Sequence, residues 1–215
     1  MLDLSLESMI QRELVNRGIT SQAVIEAFRR IPRPRFVPEY LQHQALADEA
    51  LPIGLGQTLS PPYTIARMLQ ELELTPKSRV LEIGTGSGFQ TALLALISGH
   101  VYSVEILPEL SARARRCLVD DMGLENISLH VTDGTHGWSD EAPFDGIIIN
   151  ASVIEIPSSI VGQLRHGGRL VVPVGEGTQA LRVVARGPSG DSIEDLPLEV
   201  FTGRFRPLDG EVQDD

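Results

Sequence analysis

The sequence has a single cysteine, few aromatic residues and no long apolar run. Its 215 residues include 1 Cys, 1 Trp, 3 Tyr and 6 Phe. One cysteine excludes an internal disulfide, and a chain without disulfides is typical of a reducing compartment, so we expect a cytoplasmic protein. No stretch approaches the about 18 consecutive apolar residues of a membrane span. Because the N-terminus lacks a basic segment followed by an apolar block, we expect no secretory signal either.

Positive charge is also scarce. The chain has 18 Lys and Arg against 29 Asp and Glu, which gives a formal net charge of −11. A general nucleic-acid-binding protein needs cations to neutralise phosphates, so the composition predicts no nucleic-acid partner. The 5 histidines have no metal-ligand spacing, and we expect no metal site. One basic cluster, Arg29, Arg30, Arg33 and Arg35, is either a solvated helix end or a local attraction for an acidic substrate.

The N-terminal part of the chain has helical patterns followed by a segment rich in Gly and Pro. The predicted segments are a helix over 4–17, a second helix capped by Thr20 or Ser21, a long ordered loop over 45–62 and a helix over 63–74. A loop of that length is uncommon unless it is functional. We therefore expect residues 1–78 to form a helical extension and an active-site loop.

From residue 79 onward, short apolar strands alternate with helices. The predicted strands are RVLEI (79–83), VYSVEI (101–106), ISLHV (127–131), FDGIIIN (144–150) and RLVVPVG (169–175), and the predicted helices cover 88–98, 108–121 and 156–164. This alternation predicts an α/β fold with a mostly parallel, doubly wound sheet. LRVVARG (181–187) and LPLEVFTGRF (196–205) are predicted as closing strands of either direction. We expect a core over 79–208 and an acidic tail over 209–215.

The strongest site signal is the segment LEIGTGSG, which follows a strand and opens a helix. Its candidate cofactor-binding residues are Glu82, Gly84, Thr85, Gly86, Ser87 and Gly88. Glycines allow sharp turns and a close approach to a ligand, and the N-terminus of a helix favours a negatively charged group. Tight packing alone would also explain the three glycines.

Two acidic residues follow the next two predicted strands. Glu105 lies 21 residues after Gly84, where folds of this kind place an acid that binds two ribose hydroxyls. Asp133, followed by Gly134, lies after the third strand, where its carboxylate can accept a hydrogen bond from an adenine amino group. The simpler alternatives are a solvated strand end for Glu105 and a plain turn for Asp133.

The spacing of the glycines distinguishes two classes of cofactor. The dinucleotide fingerprint is G-x-G-x-x-G, whereas here the third glycine is Gly88, one residue early, and Phe89 follows it. An adenosyl amino acid has no pyrophosphate to bind, and it suits this shorter turn better. The sequence therefore predicts a class I methyltransferase that uses S-adenosyl-L-methionine.

Residues 31–215 resemble the protein-L-isoaspartate (D-aspartate) O-methyltransferases. The matching motifs are IPRPRFVPEY (31–40), LPIGLGQTLSPP (51–62), RVLEIGTGSGFQTALLA (79–95), DGTHGW (133–138), FDGIII (144–149), GGRLVVPVG (167–175) and GRFRPL (203–208). The GQTLS segment is the specific part. The resemblance implies an S-adenosylmethionine fold with an N-terminal helical addition, and methylation of the free α-carboxylate of isoaspartyl residues in damaged proteins and peptides.

The resemblance also implies roles for the residues of the GQTLS segment. Ser60 would bind the substrate carboxylate through its hydroxyl, Thr58 and Gln57 would shape the same loop, and Leu59 would pack near the cofactor. Ser60 could alternatively cap the helix over 63–74. A free α-carboxyl group has a pKa of roughly 3.5 and is ionised at neutral pH, so the reaction needs no general base.

Five positions depart from the family pattern: Leu46, Pro61, Asn150, Ser152 and Arg206. We expect all five to line the acceptor side of the site, away from the cofactor. They leave two other hypotheses open. One is a related methyltransferase that acts on another carboxylate, in a peptide natural product or a small acid, and the other is a non-catalytic module that binds S-adenosylmethionine.

Overall fold

The computed structural model describes residues 5–175, 179–187 and 190–196. Its strands are β1 (Leu51–Gly54), β2 (Gln57–Leu59), β3 (Arg79–Ile83), β4 (His100–Glu105), β5 (Ile127–Val131), β6 (Phe144–Ile149), β7 (Leu164–Val174), β8 (Ala180–Gly187) and β9 (Gly190–Leu196). Its α-helices are α1 (Leu6–Met9), α2 (Gln22–Arg30), α3 (Pro62–Glu71), α4 (Phe89–Ile97), α5 (Pro108–Arg115) and α6 (Ser158–Val161).

Seven of these strands form one sheet in the order β5-β4-β3-β6-β7-β8-β9. Strands β3 to β7 are parallel to one another, whereas β8 is antiparallel to β7 and β9 is antiparallel to β8. The chain enters the sheet at β3, adds β4 and β5 on one side, and then crosses to β6 and β7 on the other. This confirms the predicted fold class and places a topological switch point between β3 and β6, where open α/β sheets bind ligands.

The N-terminal extension packs on the helix that follows β3. The helix predicted over 4–17 is described from Ser5 as α1, a π-helical turn over Ile10–Leu14 and a 3-10 turn over Val15–Arg17, and it ends at Gly18. Thr20 and Ser21 were both predicted as possible caps of α2, and it is Ser21 that caps this helix. The rings of Phe28 and Phe36 meet the ring of Phe89 edge-on, with centroids 5.6 and 5.4 Å apart. The extension therefore shares the main hydrophobic core with α4.

The predicted long loop over 45–62 contains regular structure. Strands β1 and β2 pair as an antiparallel hairpin in which Leu51 is opposite Leu59. The turn runs through Gly54, Leu55 and Gly56, all with positive φ (89°, 52° and 62°). Two glycines make such a turn accessible, and the buried leucines provide the apolar face on which the hairpin rests. The long ordered loop predicted over 45–62 therefore includes a two-stranded hairpin that was not predicted.

Three other segments differ from their predicted bounds. The helix predicted over 156–164 shortens to α6, because β7 begins as early as Leu164. Strand β9 was not predicted, since GDSIEDL has few of the residues that favour strands. The predicted strand over 196–205 reaches the described residues only at Leu196, and Arg206 and the predicted tail over 209–215 lie outside them.

Candidate active site

The turn between β3 and α4 lies at the switch point. Gly84, Gly86 and Gly88 have φ of 92°, 56° and 86°, in the left-handed region that side chains disfavour. The backbone N–H groups of Gly84 and Thr85 both donate to the oxygen of Val104, at 2.8 and 3.3 Å. The turn is therefore tied to the end of β4, and its glycines are required by backbone conformation rather than by packing alone.

Glu105 reaches this turn from the end of β4. Its Oε2 accepts from the N–H of Gly86 at 2.8 Å, and its Oε1 accepts from the N–H of Leu107 at 3.1 Å. The residue is only 6% exposed, so the alternative of a solvated strand end is wrong. Each carboxylate oxygen can accept a second hydrogen bond, which leaves Glu105 able to receive two ribose hydroxyls.

Asp133 and Gly134 begin the segment after β5. Asp133 is exposed, and its Oδ1 accepts a hydrogen bond from the N–H of Thr135 at 2.8 Å. Asp133 therefore forms a turn, which was the simpler of the two alternatives predicted for it. The N–H of Thr132 donates to the oxygen of Glu105 at 3.0 Å, which brings this segment next to the predicted ribose site. A Cβ on Gly134 would lie 2.5 Å from Cγ2 of Ile83, so close packing against β3 requires glycine there.

Glu82 lies beneath the turn, fully buried. Its Oε2 accepts from Oγ1 of Thr91 at 2.5 Å and from Oγ of Ser103 at 2.6 Å. Burial raises the pKa of Glu82 to about 7, although hydrogen bonds from Ser103, Thr91 and Asn150 act to lower it, and the nearby charge of Glu105 raises it further. Direct cofactor contact, as predicted for Glu82, does not fit this position, and the side chain supports the turn from inside the protein.

The side chain of Thr85 also turns inward. Its Oγ1 lies 2.6 Å from Oγ of Ser103, and the residue is buried. Only the backbone of Thr85 therefore belongs to the ligand side of the turn. Ser87, by contrast, is partly exposed at the start of α4, and its Oγ accepts from the N–H of Phe89 at 3.3 Å. This helix start provides the N–H donors that an anionic group needs.

Asn150 follows β6 and lies against the glycine turn. Its Nδ2 donates to the oxygen of Gly84 at 2.9 Å, and its Oδ1 accepts from Nε2 of Gln90 at 2.7 Å. Asn150 therefore contacts the turn predicted to bind the cofactor, although it was predicted to line the acceptor side, because β6 ends at the switch point beside β3. Its position at the end of the fourth predicted strand was the available signal for this contact.

Ser60 follows β2, directly before α3. No side chain at the N-cap position, Pro61, caps α3, and the N–H of Tyr63 instead donates to Oδ1 of Asp48 at 2.9 Å. The alternative of Ser60 as the helix cap was therefore wrong. Among the residues that the structure describes, the Ser60 hydroxyl has no hydrogen-bond partner. That hydroxyl is half-buried and available to a ligand.

The other predicted residues of this segment lie on two faces of β2. Leu59 is buried in the main core, whereas Thr58 is exposed and Gln57 is half-buried. Successive side chains of a strand point to opposite faces, so Thr58 faces away from the side of Gln57 and Leu59. The structure therefore separates the side chain of Thr58 from those of its neighbours, although all three residues pair with β1, across a register shift between Pro52 and Gly54.

The hairpin lies on the glycine turn. A Cβ on Gly86 would be 3.6 Å from Cδ1 of Ile53, and Nη1 of Arg113, from α5, donates to the oxygen of Ile53 at 3.0 Å. The predicted acceptor segment and the predicted cofactor segment are thus adjacent in space. Neither Ile53 nor Arg113 was predicted, because their importance depends on which helix the hairpin meets.

The basic cluster of the N-terminal extension divides into two parts. Arg29 is exposed and pairs with Glu7, so it belongs to a solvated helix end. Arg33 is 1% exposed, and burial lowers its pKa to about 9, while the charge of Asp48 acts in the opposite direction. Its Nη2 donates to the oxygen of Ser60 at 2.9 Å. For Arg33 neither predicted alternative holds, since it is neither solvated nor open to a substrate.

Over residues 5–175, 179–187 and 190–196, no group of three or more His, Cys, Asp or Glu side chains could hold a metal ion. Over the same residues, no helix is long and apolar enough to cross a membrane.

A glycine turn and a buried acid at the switch point of a doubly wound sheet define a class I S-adenosylmethionine-dependent methyltransferase. A model of the protein-L-isoaspartate(D-aspartate) O-methyltransferase family matches residues 5–208. The chain belongs to this family, which confirms the resemblance seen in the sequence, and it is an enzyme of that type.

Relatives and solved structures agree with this assignment. The chain is 46% identical to protein-L-isoaspartate O-methyltransferase 1 of Anaeromyxobacter sp. (strain Fw109-5), over 98% of this chain and 99% of that one. It is 49% identical to protein-L-isoaspartate O-methyltransferase 1 of Syntrophobacter fumaroxidans, over 86% of each chain. These relatives match over most of both chains and share one enzyme name. They do not favour the two other hypotheses, which were another carboxylate acceptor and a non-catalytic module.

Two solved structures have the same fold. One protein-L-isoaspartate O-methyltransferase superposes with a TM-score of 0.81 at 25% identity, covering 94% of this chain and 65% of that one. The present chain therefore spans about two thirds of that structure. A Plasmodium falciparum protein in complex with S-adenosyl-L-homocysteine superposes with a TM-score of 0.80 at 24% identity, covering 98% and 100%.

Proposed function

We propose that this enzyme transfers the methyl group of S-adenosyl-L-methionine to the free α-carboxylate of L-isoaspartyl residues in damaged proteins. The observation that supports the proposal is the approach of the hairpin to the glycine turn, where Cδ1 of Ile53 would lie 3.6 Å from a Cβ on Gly86. A cofactor held by the turn and an acceptor held beside Ser60 then share one site. When bound, the cofactor supplies an electrophilic methyl group on a sulfonium.

The cofactor side uses three groups of different chemistry. Glu105 accepts hydrogen bonds from the ribose hydroxyls, and Asp133 accepts from the adenine amino group. The N–H of Gly86 already donates to Glu105, so the backbone N–H of Ser87, directly before α4, donates to the carboxylate of the methionine portion. Gly84, Gly88 and Gly134 give the backbone its path, and Glu82 and Thr85 hold that path from inside the protein.

The acceptor side acts by positioning. The hydroxyl of Ser60 donates to the acceptor carboxylate and holds one oxygen in line with the methyl group, while Gln57 and Thr58 shape the hairpin and Leu59 packs beneath the cofactor. The carboxylate is already ionised at neutral pH, so no side chain has to remove a proton. Alignment of two bound reactants and exclusion of water account for the rate.

The organisation of the chain follows from this site. In this proposal residues 1–78 are the extension and acceptor segment and residues 79–208 are the cofactor-binding core, whereas the acidic sequence over 209–215 lies outside the described residues. The substrates are isoaspartyl-containing proteins and peptides in the cytoplasm. The protein binds no nucleic acid, because its net charge of −11 repels phosphates.

The test is transfer of labelled methyl from S-adenosyl-L-methionine to an isoaspartyl peptide, with the normal aspartyl peptide of the same sequence as control. We expect base-labile label on the isoaspartyl peptide alone. Binding of S-adenosyl-L-homocysteine is measured by calorimetry in the same preparation. Binding without transfer would overturn the acceptor while leaving the cofactor assignment in place.

A further inference from the structure

The side chain of Asn150 makes three hydrogen bonds at the glycine turn, which use both of its N–H groups and its oxygen. Its two N–H donors go to the oxygen of Gly84 at 2.9 Å and to Oε1 of Glu82 at 3.3 Å. Its oxygen accepts from Nε2 of Gln90 at 2.7 Å. Because the oxygen of Gly84 can only accept, Nδ2 of Asn150 must face it, and this sets the orientation of the amide.

The backbone around Asn150 makes this arrangement rigid. The N–H of Asn150 donates to the oxygen of Ile83 at 2.8 Å, which extends the pairing of β6 with β3 by one residue. A Cβ on Gly84 would lie 3.2 Å from Cβ of Asn150, so the turn passes directly against this side chain. Through Gln90, the same amide also contacts the first turn of α4. One side chain thus joins β3, the glycine turn and α4.

We propose that Asn150 is a positioning residue that sets the affinity for the cofactor by holding the carbonyl of Gly84 and, with it, the path of the glycine turn. The inference rests on the proposed function, since it assumes that this turn binds S-adenosyl-L-methionine. Asn150 itself reaches no reacting atom and acts only through Gly84, Glu82 and Gln90.

The chemistry of the neighbours makes an amide necessary at this position. Gly84 and Glu82 present oxygen acceptors, whereas Gln90 presents a donor, so the side chain must donate twice and accept once. A hydroxyl has only one proton to donate. A carboxylate would donate none and would add a charge beside the carboxylate of Glu82, with Glu105 also close enough to affect Glu82.

Asn150→Asp tests the proposal, and Asn126→Asp is its matched control. Nδ2 of Asn126 donates to the backbone oxygen of Ala95 at 2.8 Å, so the same exchange removes an equivalent hydrogen bond. Asn126 precedes β5, at the opposite edge of the parallel strands from the glycine turn. Asn150→Ala also removes the N–H donors but adds no charge, so it separates the loss of these donors from repulsion by the carboxylate of Glu82. It also tests the proposal if Asn150→Asp does not fold.

The measurements are the Kd of S-adenosyl-L-homocysteine by calorimetry, the Tm of each variant, and KM and kcat with an isoaspartyl peptide. We expect both Asn150 variants to bind at least about 10-fold more weakly, the cost of one lost hydrogen bond to a half-buried acceptor, with KM for the cofactor raised more than kcat is lowered. Asn126→Asp should lower Tm and leave Kd unchanged.

An Asn150 variant that loses Tm but keeps the wild-type Kd would make the residue structural and overturn the inference. Failure of the wild-type protein to bind S-adenosyl-L-homocysteine would overturn the cofactor assignment and the inference together. Binding without methyl transfer to any isoaspartyl peptide would overturn only the acceptor, because the Kd comparison does not depend on the acceptor.

Discussion

The buried guanidinium of Arg33 donates a hydrogen bond from Nη2 to the backbone oxygen of Ser60, at 2.9 Å. The carbon of the guanidinium also lies 5.2 Å from the centroid of the Phe89 ring, at the start of the helix that follows the glycine turn. Asp48, which caps α3, contributes the negative charge that acts on Arg33. A cation from the N-terminal extension thus holds the backbone of the proposed catalytic residue against the cofactor helix.

Replacement of Arg33 by Met is expected to separate activity from stability. Nε and Nη1 of Arg33 are buried and have no hydrogen-bond partner among the described residues, so the free energy of unfolding should change little or rise when the charge is removed. Without the bond to Ser60, kcat/KM for an isoaspartyl peptide should fall about 10-fold. Urea unfolding and steady-state kinetics measure the two effects, and Arg33→Lys is the charge-conserving control. A parallel loss of stability and activity would show that Arg33 is only structural.

Ser60→Ala should lower turnover without weakening the cofactor complex. The lost hydroxyl removes the group that orients the acceptor carboxylate, and misplacement of a reacting group costs about 10- to 100-fold in kcat. The Kd of S-adenosyl-L-homocysteine should stay at the wild-type value. Ser139→Ala, an exposed site before β6, is the matched control and should change neither quantity. Equal losses in kcat and in cofactor affinity would contradict the proposed role.

Glu105→Ala should weaken the binding of S-adenosyl-L-homocysteine. The variant has no carboxylate to accept hydrogen bonds from the ribose hydroxyls and from the N–H of Gly86. Because each hydrogen bond to a charged acceptor contributes strongly, we expect the affinity to fall about 10- to 100-fold. Calorimetry gives the Kd, and Glu109→Gln, an exposed acid in the first turn of α5, provides the control. An unchanged Kd would remove Glu105 from the cofactor site.

Glu82→Gln should change the pH dependence of stability. The pKa of Glu82 is raised from 4.5 to about 7 by burial, so the folded state binds this proton more tightly than the unfolded state does. Its contribution to the free energy of unfolding is complete below pH 4.5 and disappears as the pH rises through about 7. The amide of Gln does not titrate, so the variant does not lose stability in this way as the pH rises.

The measurement compares urea unfolding of both proteins between pH 5 and pH 8. The stability of Glu82→Gln relative to the wild-type protein should increase across this range, by at most on the order of 3 kcal/mol. Taking the difference removes the contributions of all other titrating groups. A difference that stays constant with pH would mean that Glu82 keeps an ordinary carboxyl pKa in the folded state.

Local sequence patterns were sufficient to predict the parallel strands of the sheet and the glycine turn between β3 and α4. The strands over 79–83 and 127–131 have their predicted bounds, because apolar runs between turn residues depend on neighbours in the chain. Glu105 could be found in the same way: a strand, a helix and a second parallel strand bring residues about 20 apart to the same edge. The hairpin β1–β2 was missed because its pairing needs an apolar surface that other segments supply.

By itself, the sequence determined the family, the alternation of strands and helices, and the residues Gly84, Gly86 and Glu105 at the switch point. Only the tertiary structure decided the surroundings of the site. Arg33 and Ser60 are 27 residues apart in the chain, and Asn150 and Gly84 are 66 apart. Burial and hydrogen-bond partners depend on which distant segments pack together, whereas strand and turn patterns depend mainly on adjacent residues. For that reason the predicted basic cluster contains a buried cation, and Asn150, predicted on the acceptor side, forms a hydrogen bond with the glycine turn.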